Sequence, residues 1–120
     1  MTGPLQSVAL QDVDDIQIEV FAPEGRFRSG QSRFQLTFRN LGGNSVEVEN
    51  VTVQFYMPAM ATMPAMLIGA YLTPITPNEI EGNVDLSMLG EWQMRITFDT
   101  SAGSATPAGS QNARISIRTQ

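Results

Sequence analysis

Four of the chain's seven methionines fall within ten residues, MPAMATMPAM, at positions 57, 60, 63 and 66. The chain has no cysteine and no histidine, so thioether sulfur is its only soft donor. Thioethers are neutral and carry no proton at physiological pH. They suit Cu(I) and similar soft ions, and suit zinc, calcium or magnesium poorly. No histidine is present to hold Cu(II) by imidazole, so a copper site here is expected to prefer the reduced ion. Its affinity would be modest, because neutral donors add no charge attraction, and nearly independent of pH above the carboxylate range. The candidate ligands are Met57, Met60, Met63 and Met66, with Met88 as a donor from elsewhere in the chain. The same side chains have two plainer uses. Methionine fills irregular gaps at the rim of a core, and a methionine-rich surface docks adaptably on another protein.

Geometry bears on the choice. Met57 precedes Pro58 and Met63 precedes Pro64, and a residue before proline is pushed from the α region toward extended backbone. A helix through the segment is therefore disfavoured. Polyproline backbone has three residues per turn, so the spacing predicts a thioether stripe along one edge of an extended loop. Neighbouring methionines on such a rod stand roughly 9 Å apart. One ion bonded at roughly 2.3 Å needs its donors within about 4 Å of each other, taking zinc–thiolate bonds as the guide. A straight rod can bring a neighbouring pair together but not all four. A site of three or four sulfurs requires the loop to fold back, or Met88 to join it.

The elements around the segment read as strands. In DIQIEVF, Ile16, Ile18 and Val20 alternate with polar residues, and in SRFQLTFRN so do Phe34, Leu36 and Phe38. The segment SVEVENVTVQFYM carries Val46 and Val48, then Val51, Val53 and Phe55. Parity changes across Glu49 and Asn50, which predicts a bulge or tight turn, since a one-residue slip would otherwise expose the second set. LIGAYL reads as one short strand closed by TPITPN. EIEGNVDL and EWQMRITFD follow with SMLG as their turn, and ARISIR ends the chain after a flexible TSAGSATPAGSQ. Val8 and Leu10 begin the series weakly. No helical periodicity appears, so the fold expected is a single domain over residues 1–120, an antiparallel immunoglobulin-like β-sandwich of about seven to nine strands.

Composition narrows the function. The net charge is −5, with seven scattered arginines and no lysine, which is unlike the basic stripe of a nucleic-acid or anionic-membrane binder. No apolar run approaches the roughly 20 residues of a membrane-spanning helix, so direct membrane insertion is not expected. The opening MTGPLQSVALQ lacks the regions of a signal peptide. An exported protein is therefore expected to carry its signal or anchor outside this sequence. Catalysis finds no base among histidines, no cysteine nucleophile and no Gly-x-Ser-x-Gly elbow, and the protein is read as a non-enzyme. Asp12, Asp14 and Asp15 lack the glycine and distal glutamate of a calcium loop, and read as a solvated turn. Trp92 and Tyr56 read as core aromatics, with a lesser reading that sets their rings beside the methionines.

FYMPAMATMPAM, then GAYL, then LGEWQMRITFD resembles the YtkA-like domain group, small immunoglobulin-like envelope domains akin to the FixH type. The shared pattern here is Met57, Pro58 and Met60, then Gly69 and Tyr71, then Gly90 and Trp92. The resemblance runs over roughly residues 13 to 119, and its specific part over residues 51 to 98. It implies a periplasmic or otherwise extracytoplasmic domain that handles heavy metals, copper above all, through Met57, Met60, Met63 and Met66. It also implies a membrane-bound efflux or metalloenzyme-assembly protein as partner. The alternative expectation is a non-catalytic interaction module whose methionine loop docks on a partner protein or mediates dimerisation.

Overall fold

The structure, a computed structural model, describes residues 5–13, 16–40, 42–88, 90–100 and 109–119. Asp14, Asp15 and most of the expected TSAGSATPAGSQ loop lie outside these residues. Nine strands are described: β1 (Leu5–Val13), β2 (Ile16–Pro23), β3 (Gly30–Asn40), β4 (Val48–Met57), β5 (Met66–Gly69), β6 (Tyr71–Thr76), β7 (Glu79–Leu86), β8 (Gly90–Thr100) and β9 (Gly109–Thr119). They form two antiparallel sheets, one in the order β1-β2-β3-β7-β6 and the other β5-β4-β8-β9. This is the sandwich that the period-two alternation predicts.

Each alternating set faces inward. Ile16, Ile18 and Val20 meet Phe34, Leu36 and Phe38 from the first sheet, while Val53, Phe55, Trp92, Met94, Ile96 and Phe98 come from the second, all buried. The rings of Phe27, Phe34 and Phe55 form a triangle with centroids 5.6–5.9 Å apart, and Phe38 tilts on Phe98 at 4.9 Å. Interlocked aromatic contact of this kind adds to simple burial. Gly82 makes room for the triangle: a Cβ there would lie 2.2 Å from the Phe34 ring. Phe34 and Gly82 are directly opposed in the β3–β7 ladder.

The predicted parity break is a bulge. Glu49 opposes Asp99 and Thr52 opposes Thr97, so Asn50 and Val51 together face one residue of β8. Asn50 takes a left-handed φ of 51°, and its side-chain amide donates to Asp99 at 2.9 Å. An asparagine tolerates that backbone better than most residues.

Three expectations are corrected. LIGAYL is not one strand: the chain leaves the second sheet at Gly69, passes Ala70 and enters the first at Tyr71. The sequence gives no sign of this, because Ile68, Ala70 and Leu72 all pack on the core and the alternation runs unbroken across the change of sheet. TPITPN is not wholly a turn, since β6 runs on through Pro74 to Thr76. Proline is tolerated there because β6 is an edge and one row of its N–H groups has no ladder to serve. SVEVENVTVQFYM does not begin β4 at Val46. Val46 is buried but lies ahead of the strand, donating its N–H to the Phe38 carbonyl at 3.2 Å.

Candidate functional site: a methionine hairpin

Met57 ends β4 and Met66 begins β5, and the two are directly opposed. Beyond them the chain turns through Ala61 and Thr62, where Met60 and Met63 exchange both backbone hydrogen bonds at 2.9 and 3.0 Å. Residues 58–59 and 64–65 between these two rungs belong to no ladder. Pro58 and Pro64 have no N–H to give one. The straight polyproline stripe is thus corrected to a hairpin. The prolines do keep the arms out of a helix, as their sequence dictates, but the two residues between them are free to reverse the chain. A three-residue spacing carried symmetrically across a two-residue turn becomes two cross-strand pairs.

The pairs differ in depth. Met57 is 3% exposed, and its methyl carbon lies 3.2 Å from where a Cβ on Gly90 would stand. Met66 is half-buried and packs on the core. At the tip Met60 is 52% exposed, with Met63 half-buried beside it. The inner rung is therefore joined to the sandwich and the outer rung meets solvent. Directly opposed residues hold their Cβ atoms about 4.5–5.5 Å apart. Two flexible thioether arms on such a base can close on one soft ion. Recruiting Met57 as well would draw it away from Gly90.

Met88 sits in the turn between β7 and β8 at this end of the sandwich. Its carbonyl accepts the Trp92 indole N–H at 3.1 Å and the Thr119 hydroxyl at 2.9 Å, and its side chain packs against the core. Trp92 is the core aromatic expected, 1% exposed. Tyr56 is half-buried on the outer face, where the Arg95 guanidinium lies 4.3 Å from its ring centroid. It stacks under an arginine and is neither a core residue nor a shield for the methionines.

Among the described residues, no three acidic side chains cluster as a hard metal site would need. A charge cluster lies in the β2–β3 connection, residues 24–29. There Arg26, and then Arg28, hold the exposed Glu24 carboxyl below the usual carboxylate range. A further pair that sequence reasoning missed lies on the outer face of the second sheet, where Arg95 and Arg114 oppose each other. Both sit at outward positions of alternating strands, but only the register brings them together.

A family model described as YtkA-like matches residues 10–97, a span that holds the whole hairpin. Among solved structures, a DUF4426 family protein from Pseudomonas aeruginosa PAO1 is similar over 91% of this chain and 96% of that one, at 14% identity and a TM-score of 0.58. At that identity the likeness shows the fold alone. No curated protein matches the chain.

Proposed function

The chain belongs to the YtkA-like family, and on that premise we propose that it is an extracytoplasmic metal-handling domain that binds Cu(I) or a similar soft ion through methionine thioethers. The observation that carries this reading is the outer rung, two opposed methionines fixed by a pair of backbone hydrogen bonds at an exposed hairpin tip. The backbone supplies the pairing before any ion arrives, so ligation has only side-chain rotamers to order. Met66 stands behind as a third donor, and Met57 and Met88 as core-anchored neighbours. Neutral donors of this kind hold an ion loosely enough to pass it on. In this reading the domain is a chaperone, sensor or efflux-accessory module and catalyses nothing. It delivers to, or receives from, a membrane-bound efflux or metalloenzyme-assembly protein.

A second reading has its own support. Met60, Leu67, Tyr71 and Ile75 are all at least half exposed and fall on the hairpin and the two edge strands that follow it. Exposed apolar side chains grouped this way suit docking on a partner protein or a second copy. Anaerobic Cu(I) titration against a competing chelator separates the readings, with the parent beside a Met60→Leu, Met63→Leu variant. Leucine keeps the apolar volume and removes the sulfur. One equivalent held by the parent and lost by a folded variant supports the metal site. Equal behaviour of the two chains refutes it and leaves docking.

A further inference from the structure

Five of the seven arginines have a carboxylate partner. Arg26 and Arg28 share Glu24, Arg33 meets Glu81 at 2.8 Å, Arg39 meets Glu19 at 3.9 Å and Arg118 meets Glu91 at 3.0 Å. Among the described residues Arg95 and Arg114 have none, although the chain carries twelve acidic residues against seven basic ones. These two are directly opposed in the β8–β9 ladder. Like charges set opposite each other across a rung destabilise a sheet. The arrangement costs stability, and no carboxylate among the described residues pairs with either guanidinium.

Among the described residues, the basin around them is lined by no carboxylate. The rung of Arg95 and Arg114 continues to Gln54 on β4, and the next rung sets Thr97 opposite Asn112. Gln54, Arg95, Thr97, Asn112 and Arg114 line a shallow basin of about 320 Å³. Arg95 is held in place, with its Nε donating to Gln93 Oε1 at 2.7 Å and its guanidinium stacked on Tyr56. That leaves its terminal N–H groups free of side-chain acceptors among the described residues. Arg114 is exposed and makes no ion pair or side-chain hydrogen bond among them.

We propose that Arg95 and Arg114 form a binding site for a doubly charged oxyanion, with the Gln54 and Asn112 amides as further donors. Guanidinium groups match oxyanions with paired, directional hydrogen bonds. A dianion seated between the two cancels their repulsion and satisfies both. The site uses none of the methionines, so it stands apart from the metal reading. In open solvent two such contacts give a dissociation constant on the order of 1 mM. The same chemistry is offered by free phosphate or sulfate and by paired carboxylates on a peptide.

The test follows the arginine Nε–H resonances of the whole chain by NMR at fixed ionic strength, set with sodium chloride. Inorganic phosphate is titrated in one arm and a capped hexaglutamate peptide in the other. Arg95 and Arg114 are expected to shift saturably while Arg118, already paired, stays still. Arg114→Gln, at an exposed position, is expected to weaken binding about tenfold, the loss of one charge-assisted contact. Tighter binding of phosphate assigns the site to a free anion, and tighter binding of the peptide assigns it to an acidic segment of another protein. If Arg95 and Arg114 respond no more than Arg118 to either probe, or Arg114→Gln changes nothing, the site does not exist.

Discussion

Replacing Gly82 by alanine puts one methyl group where the Phe34 ring already lies. The added Cβ would stand 2.2 Å from the ring's Cζ and under 3 Å from both Cε atoms, against 3.4 Å for ordinary contact, so the ring must give way by more than 1 Å. It has nowhere to go freely, because Phe34 is locked against Phe27 and Phe55. Overpacking of this kind costs about 1–3 kcal/mol. The lost flexibility of the unfolded chain returns about 0.4–1 kcal/mol, since the backbone at Gly82 suits alanine. A net cost of about 1 kcal/mol in a chain of this length lowers the melting temperature by roughly 3–5 °C. The assay is reversible thermal unfolding by circular dichroism, with urea titration to check that the m-value is unchanged. Adding Phe34→Leu removes the clashing atoms, so the double variant is expected to recover about 1 kcal/mol or more relative to additive behaviour. A melting temperature within about 1 °C of the parent for Gly82→Ala, or strict additivity with Phe34→Leu, would refute the pairing of β3 with β7 as described.

Three other outcomes are expected. Asn50→Ala loses both the tolerance of a left-handed backbone and the bond to Asp99, and should cost about 1 kcal/mol or more, while Asn50→Gly costs less because glycine adopts that φ freely; urea denaturation of both ranks them. Glu24 has its folded pKa lowered from an ordinary 4.5 by Arg26 and Arg28, so its contribution is present above 4.5 and lost as pH falls through the lower folded value. The stability gap between parent and Glu24→Gln should therefore hold steady near neutrality and close on acidification, as read from unfolding curves at a series of pH values. Finally, Met57→Ala should destabilise the fold by about 2–4 kcal/mol as a core truncation, whereas Met60→Leu with Met63→Leu should move the melting temperature by no more than about 2 °C, because the outer rung is exposed and volume is conserved. A large loss from the outer pair would place those sulfurs in the core.

Much of the sandwich is legible in the sequence because its strands bury one face each. Phe34, Leu36 and Phe38 cannot alternate with Arg33, Gln35 and Arg39 for any other reason, and the slip at Glu49 and Asn50 announces its own bulge. The methionine hairpin was half legible. Proline forbade a helix and the spacing demanded order, but Ala61 and Thr62 carry none of the glycine or asparagine signals that mark a reversal. The division of LIGAYL at Ala70 left no trace, because Ile68, Ala70 and Leu72 keep one unbroken alternation while the chain changes sheets. The opposition of Arg95 and Arg114 is of another kind. It depends on the register between strands that are separate in sequence, and no local pattern encodes that.

The last strand has a consequence for how the molecule comes into being. β9 brings Ala113, Ile115 and Ile117 into the core, covers the whole length of β8 and pairs Thr119 in parallel with Phe27. Phe27 is one corner of the aromatic triangle, so the centre of the fold is closed by residues from opposite ends of the chain. Contacts so distant in sequence are slow to form. A chain made from its N-terminus onward cannot complete this core until β9 is available, and until then the edge of β8 that pairs with β9 stands open. The core is thus whole only once β9 has joined β8, which makes this strand its latch.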